Sequence, residues 1–272
     1  PAPIPVSDES LATEALAPGL ATDGVFAANR LAEAHAAALA NHSFTVVQRN
    51  TRYTNGTLQQ GDRSILQYGA DGRQFVYDLR QTDRRGMQNS TSRYQRYANG
   101  EQVYIAETQT GETSYRLLRA ADGSLSDPSQ VFPDNATNTR GLVRVFVLVN
   151  TEVTSTRTTN GTTIYRVETP GPQTLPPLQN ISFVAFVAET GFIRSYQLEY
   201  DVVRSAELVH IVANTTYQAV GKTTVSEPRW VDAARAELQN ETMTPATTAV
   251  RFPTQAGTHG FGTVPSQTKS AD

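Results

Sequence analysis

Alternating polar and apolar residues dominate the middle of the chain and are broken by short turn signals. Asn55-Gly56 and Asn160-Gly161 each lie between two alternating runs. Asn-Gly in that setting is typical of a type I′ β-hairpin, because both central residues of the turn need a positive φ. The pattern therefore predicts two antiparallel meanders, over residues 43–120 and 152–220.

Helical spacing appears at both sides of these meanders and between them. The alanine-rich segment at residues 25–41 predicts a helix with Asp23 or Gly24 at its start. Its apolar side carries Leu31, His35 and Leu39. The run GLVRVFVLVN at residues 141–150 is ambiguous, because a short apolar run fits a buried strand or a buried helix equally well.

The two ends of the chain contrast with this regular middle. A last helix is expected after Pro228, and the tail at 241–272 is rich in Thr, Pro and Gly and predicts an extended segment. Residues 1–21 predict an extended leader with one weak helical turn around 11–16. The interpretation is a single domain at 22–240 with an extension at each end.

Composition supports a mainly β fold with a few helices. Only 38% of residues are hydrophobic and 18% are charged, with Thr, Asn, Gln and Ser making up much of the rest. Such a profile suits an antiparallel sheet with one solvated face better than a parallel sheet buried on both faces.

Charge and cysteine content exclude several classes of function. The net charge of −3 and the lack of a basic stripe argue against nucleic-acid binding. With no cysteine, the chain has no disulfide, thiol nucleophile or cysteine zinc site. No apolar run reaches the roughly 18 to 20 residues that span a bilayer. A start at Pro1 rather than Met is typical of a processed, exported product.

Asn-x-Ser/Thr acceptor patterns are spread along the whole length. As a set they predict an extracytoplasmic protein that carries N-linked glycans, at the cell surface or secreted. Asn55 and Asn160 occupy predicted hairpin tips, where a glycan meets least steric resistance. The eight acceptors are Asn41, Asn55, Asn89, Asn135, Asn160, Asn180, Asn214 and Asn240.

A search for catalytic and metal-binding signatures gives no candidate. No nucleophile elbow, zinc-protease helix, Walker loop, dinucleotide-binding turn or EF-hand loop is present. Of the scattered histidines, His35 is expected in the core, His210 on a wet strand face and His259 in a loop. The sequence predicts no catalytic residue, no metal and no cofactor, and so a protein that is not an enzyme.

Four segments carry a resemblance to a known family: residues 17–46, 141–150, 181–202 and 220–238. They resemble a family of haloarchaeal surface lipoproteins of unassigned function, whose fold is similar to that of the lipoprotein carriers LolA and LppX. The resemblance implies a curved antiparallel sheet forming an incomplete barrel covered by helices. It also favours a helix for residues 141–150.

The predicted strands place a set of apolar residues on a candidate inner face. By the resemblance such a face can hold an acyl chain or another apolar ligand; the alternative is that these side chains fill one another as core. The possible groove consists of Leu31, His35, Leu39, Phe44, Phe75, Tyr104, Tyr115, Phe183, Phe186 and Tyr196.

Two functional hypotheses follow. The first is a surface carrier of a lipid or other apolar molecule, with a possible lipid anchor on a Cys preceding Pro1. The second is a structural subunit of a surface filament or coat, whose partners are further copies of itself or other surface proteins. In that case the extensions add a strand to a neighbour. The candidate assembly residues of the tail are Val250, Phe252, Phe261 and Val264.

Overall fold

The computed structural model describes residues 14–84, 89–131 and 136–243. In chain order the elements are β1 (Ala15–Ala17), β2 (Leu20–Ala21), β3 (Gly24–Val25), α1 (Ala28–Leu39), β4 (Phe44–Thr54), β5 (Thr57–Tyr68), β6 (Gln74–Asp83), β7 (Ser90–Asn99), β8 (Val103–Gln109), β9 (Glu112–Leu117), a 3₁₀ turn (Pro128–Gln130), α2 (Thr139–Leu148), β10 (Glu152–Thr159), β11 (Thr162–Glu168), β12 (Gln173–Leu175), β13 (Leu178–Ala188), β14 (Ile193–Arg204), β15 (Glu207–Gln218) and α3 (Trp230–Met243).

Twelve of the strands form one antiparallel sheet. Its order is β10-β11-β13-β14-β15-β4-β5-β6-β7-β8-β9, with β12 paired to the side of β13. The two meanders meet where β15 pairs with β4. The outermost strands β10 and β9 do not pair with each other in the described part of the chain, so the sheet stays open. The mainly β fold class predicted from sequence is confirmed.

Turn chemistry explains the hairpins. Asn55 and Gly56 have φ values of 50° and 75°, and Asn160 and Gly161 have 51° and 74°. These left-handed conformations cost least at glycine and are tolerated by asparagine. The two tight turns therefore lie where the Asn-Gly signals predicted them.

The segment before α1 belongs to the fold. The short strands β1, β2 and β3 form a small sheet, in which Leu20 is fully buried. The weak helical turn predicted around residues 11–16 is wrong in its described part, because β1 begins at Ala15. The predicted cap is also wrong: α1 begins after Ala27, and Gly24 lies in β3.

Helices cover both sides of the sheet. Helices α1 and α2 pack on one side, which we call the inner face, together with Phe44, Phe75 and Phe183. The ambiguous run at 141–150 is therefore mostly helical. Helix α3 packs on the opposite side, the outer face, where Val231 and Ala234 contact strands β7 and β8.

Candidate functional site

Most of the residues predicted to line a groove meet on the inner face under the two helices. Each of them is at most 4% exposed. Phe146 of α2 packs edge-on against Phe183, with ring centroids 5.3 Å apart. The helix-covered part of the inner face is thus filled by side chains of the chain itself. The residues in this cluster are Leu31, His35, Leu39, Phe44, Phe75, Phe183 and Tyr196.

Tyr104 and Tyr115 do not join that cluster and lie on the outer face instead. Tyr104 stacks on Tyr97, and Tyr115 stacks on Trp230 of α3 at 6.3 Å. The prediction erred because α3 buries the outer face at this edge of the sheet, so both faces of β8 carry apolar residues.

Phe186 is a further correction. Phe183 is buried on the inner face, whereas Phe186 is 42% exposed on the outer one. Successive side chains of a strand point to opposite faces, so two residues three positions apart do not share a face. Ala185 and Val187 take the buried inner positions on either side of Phe186.

His35 is a fully buried member of the inner-face cluster. Its Nε2 lies 3.2 Å from the carbonyl oxygen of Thr137, which also accepts a hydrogen bond from the Tyr217 hydroxyl at 2.9 Å. The imidazole stacks on Phe192 with ring centroids 5.6 Å apart. Burial lowers the pKa of His35 to about 4, and the hydrogen bond to Thr137 acts in the opposite direction. The side chain therefore joins α1 to the segment before α2 and to β15.

The inner face continues well past the helices. Helix α1 has 12 residues and spans about 18 Å, whereas β5, β14 and β15 have 12 residues each and span roughly 40 Å. At one end of these strands, Val202, Val209 and Ile211 form a cluster that contains no residue of α1 or α2. We call this part the distal inner face, made of Arg52, Gln60, Tyr200, Val202, Val209 and Ile211.

Polar and apolar side chains adjoin on the distal inner face. Arg52 lies opposite Ile211 across the β4–β15 ladder and donates from Nη1 to Gln60 Oε1 at 2.7 Å. Val202, Val209 and Ile211 form an apolar cluster. Burial raises the pKa of Tyr200, while the positive charges of Arg204 and Arg52 act in the opposite direction. One side of this surface thus suits an apolar chain, and the other suits a polar or anionic group.

A second candidate is an open depression on the outer face, near the β4–β5 hairpin tip. Its volume is about 550 Å³. His210 Nδ1 lies 2.8 Å from Asp201 Oδ1, and Asn180 Nδ2 donates to Asp201 Oδ2 at 2.7 Å. We call it the His210 depression; it is lined by Tyr53, Asn55, Gly56, Asp201, Leu208, His210 and Val212.

The electrostatics of this depression are those of a hydrogen-bonded surface pair. Asn180, followed by His210, stabilises the carboxylate and lowers the pKa of Asp201. As the sequence predicted, His210 points away from Val209 and Ile211, and 43% of its side chain is exposed. The pairing with Asp201 was missed. The two-residue turn Ser205-Ala206 fixes the register of β14 against β15, so counting residues outward from that turn along both strands would have placed Asp201 opposite His210.

The residues that line the His210 depression include no serine, threonine, cysteine or lysine. Within residues 14–84, 89–131 and 136–243 no group of three His, Asp or Glu is placed to hold a metal ion. Of the described helices, the longest has 14 residues, and none has the length and apolar character of a membrane span.

The predicted glycosylation sites occupy different environments. Asn55 and Asn160 are exposed at hairpin tips, and Asn41, Asn89 and Asn240 are exposed as well. Asn214 is only half-exposed in the middle of β15, between strands β14 and β4. Some predicted residues lie outside the described part of the chain: Asn135, His259, Val250, Phe252, Phe261 and Val264.

Comparison with known proteins finds similar solved structures at low identity and no match by sequence. No family profile matches the sequence, and no curated protein matches it. The structure is similar to the crystal structure of LprF from Mycobacterium bovis, with a TM-score of 0.35 and 13% identity over 74% of this chain and 96% of that one.

Two further solved structures are similar at comparable coverage. A LolA superfamily protein from Nitrosomonas europaea gives a TM-score of 0.25 and 8% identity over 73% of this chain and 94% of that one. A DUF1329 family protein from Desulfovibrio piger gives a TM-score of 0.29 and 10% identity over 77% of this chain and 97% of that one. All three matches are at most 13% identical and have TM-scores below 0.5, and no sequence family is identified. At these TM-scores function has to be argued from the residues of the chain itself.

Proposed function

We propose that this chain is a non-catalytic, N-glycosylated extracytoplasmic protein that holds an amphipathic molecule on its distal inner face. Above all, the placement of Arg52 opposite Ile211 supports this, because it sets a cation at the border of an apolar cluster. A molecule with an apolar chain and an anionic head group matches both halves of that surface.

The site differs from the groove that the sequence suggested. The helix-covered cluster around Phe44 and Phe183 is already filled, so a ligand there would have to displace α1 or α2. On the distal inner face, Val202, Val209 and Ile211 are 6–9% exposed and pack with Leu178 and Tyr200, not with residues of α1 or α2, so a ligand there would not have to displace either helix. Tyr200 and Leu178 pack against both apolar clusters and make the surface continuous between them.

Binding of a fluorescent fatty acid to the full chain tests the proposal. Arg52→Gln should weaken fatty-acid binding about tenfold and leave binding of the matching fatty alcohol unchanged, because only the acid carries a charge for Arg52 to pair with. Tyr200→Ser should weaken both ligands. His210→Gln, on the outer face, is the matched control.

The melting temperature of each variant separates lost binding from lost folding. A wild-type chain that binds neither ligand would contradict the proposal. So would a folded Tyr200→Ser variant that binds both ligands as tightly as the wild type does.

The exposed edge of the sheet favours a second candidate, a subunit of a surface assembly. From Thr154 to Thr159 every residue of β10 is exposed, and the beginning of the strand is bonded to the turn between β2 and β3, through Val153 N–H to Thr22 O at 3.4 Å. Unpaired strand edges accept a further strand from another chain. The predicted tail residues Val250 and Phe252 belong to a segment of the kind that could supply one.

Electron microscopy and light scattering of the full chain test this second candidate. The double variant Thr156→Lys/Thr158→Lys should abolish polymers, because charges along an edge strand oppose pairing with another chain. Thr216→Lys, an exposed site inside the sheet, should leave them intact. Polymers that persist in the edge variant, or a wild type that stays monomeric at all concentrations, would refute assembly through β10.

A further inference from the structure

The solvent side of α2 carries an unusual set of side chains. Leu142, Val145 and Phe146 face the core. On the opposite side, Val147 is 71% exposed and Leu148 is 42% exposed. Isolated exposed apolar residues are common, but two adjacent ones on a helix that already has a buried apolar side form a second apolar surface.

The same solvent side is positively charged. Arg140 and Arg144 are exposed and lie one turn apart, and Val147 follows at the next turn. The helix contains no acidic residue. Its exposed side therefore runs from two arginines to two large apolar side chains within about 12 Å of helix axis.

A third exposed apolar residue lies at the same end of the molecule. Phe26 is 59% exposed and precedes α1. Its neighbour Val25 donates from its backbone N–H to Thr151 Oγ1 at 2.9 Å, three residues beyond Leu148. The segments that carry Phe26 and Leu148 are thus held together, and both side chains are solvent-exposed.

These features together favour a membrane surface over a protein partner. Three partly exposed side chains bring much less than the roughly 800 Å² per partner that a stable dimer buries. A bilayer needs no matching shape, and arginine is attracted to anionic head groups while Val and Leu enter the acyl boundary. Arginine stems can lie along the apolar surface with their charges in the head-group layer.

We propose that Phe26, Arg144, Val147 and Leu148 form a docking face that rests on an anionic lipid bilayer, with α2 lying parallel to the membrane plane. Such docking would hold the helix-covered end of the sheet against the lipid. It does not depend on the ligand proposed for the distal inner face.

Sedimentation of the full chain with lipid vesicles tests the docking face. The chain should bind vesicles of phosphatidylcholine and phosphatidylglycerol at 3:1 more tightly than vesicles of phosphatidylcholine alone. Val147→Ser/Leu148→Ser should lower the partition coefficient at least about tenfold. Arg144→Gln should lower it about fivefold on the anionic vesicles only, in line with about one basic charge near the surface.

The exposed outer-face pair Val203 and Leu208 provides a matched control, because it is 55% and 48% exposed. Val203→Ser/Leu208→Ser should leave vesicle binding unchanged. Circular dichroism melts confirm that each variant is folded.

Three results would overturn the proposal. The first is a wild type that sediments equally with both vesicle types, and the second is a folded Val147→Ser/Leu148→Ser variant that binds like the wild type. The third is a wild-type dimer that forms without lipid, as seen by light scattering, and that does not form in the Val147→Ser/Leu148→Ser variant. In that case the face would be occupied by a second copy of the chain.

Discussion

The buried imidazole of His35 accepts the backbone N–H of Ile193 at its Nδ1, over 3.2 Å. The other ring nitrogen, Nε2, lies 3.2 Å from the carbonyl oxygen of Thr137, which can only accept. The two partners together require the neutral tautomer with its proton on Nε2. A second proton on Nδ1 would face the N–H of Ile193. The hydrogen bonds of the native structure therefore fit the neutral imidazole and not the charged imidazolium.

We therefore expect His35 to make folding stability depend on pH. Its pKa is about 4 in the folded chain, against 6.5 for an unperturbed histidine, because burial disfavours the charged form. Between these two pH values the unfolded state binds more protons than the folded state. The contribution of neutral His35 to the free energy of unfolding is therefore complete above pH 6.5 and is lost as the pH falls towards 4. The loss amounts to about 3 kcal/mol of unfolding free energy. Urea unfolding at pH 7 and at pH 4 measures it.

Two variants show whether His35 is the source of that loss. His35→Gln has no titrating ring and should reduce the difference between the two pH values. His42→Gln removes an exposed histidine just after α1 and should leave that difference unchanged. An unchanged pH difference in His35→Gln would assign the effect to other groups.

Gly191 should be among the least replaceable glycines of the chain. It has a φ of +86°, and an added Cβ would lie 2.5 Å from Ala34 Cβ in α1. The turn between β13 and β14 thus supports the helix directly. We expect Gly191→Ala to lower the unfolding free energy by about 3 kcal/mol, from the left-handed backbone and the steric clash together.

The tip of the β10–β11 hairpin separates these two causes. Gly161 has a similar φ of +74° with nothing within 4 Å of an added Cβ. Gly161→Ala should lower the unfolding free energy by only about 1 kcal/mol, because it adds the cost of the left-handed backbone without a steric clash. Equal losses in the two variants, measured by urea titration, would show that the contact with Ala34 is not limiting.

Local signals predicted the hairpins, whereas the faces of the strands depended on distant parts of the chain. The Asn-Gly turns at 55–56 and 160–161 lie where the sequence predicted them, because turn geometry depends on neighbouring residues. The alternation around Tyr104 could not show which face is the inner one. That choice is made by α3, which lies more than 100 residues away.

The candidate sites show the same division. The pairing of Asp201 with His210 follows from a short hairpin and could have been counted from the sequence. The contact of Arg52 with Ile211 requires β4 to meet β15, which joins the first strand of one meander to the last strand of the other. No local pattern specifies such a long-range pairing.

Trp230 should anchor α3 to the sheet. The indole stacks on Tyr115, and its Nε1 donates to Gln95 over 3.1 Å when the Gln95 amide is turned with Oε1 towards it. We expect Trp230→Ala to cost about 3 kcal/mol locally, because it empties a packed aromatic site. Hydrogen exchange should accelerate in α3 and stay unchanged in β13.

Trp230→Phe is the matched control, since it keeps an aromatic ring on Tyr115 but lacks the indole N–H. Trp230→Phe should lower the local free energy of unfolding of α3 by about 1 kcal/mol, which is the usual contribution of one hydrogen bond. If Trp230→Ala instead accelerates exchange equally in α3 and β13, then α3 unfolds only together with the whole sheet.

The predicted glycosylation sites should differ in occupancy according to their place in the sheet. Asn55 and Asn160 project from hairpin tips, where the neighbouring glycines have open space around them. Asn214 lies within β15 with a strand on each side, so a glycan there would have to clear both neighbours.

The intact mass of the chain isolated from its own cells shows which of these acceptors carry a glycan. Asn55→Gln and Asn160→Gln should each remove the mass of one glycan, because their backbones already lie in exposed turns that an oligosaccharyltransferase can reach. Asn214→Gln should change the mass only by the substitution itself. A glycan lost with Asn214 but not with Asn55 would mean that attachment precedes folding of the sheet, and that exposure in the folded chain does not govern which acceptors are used.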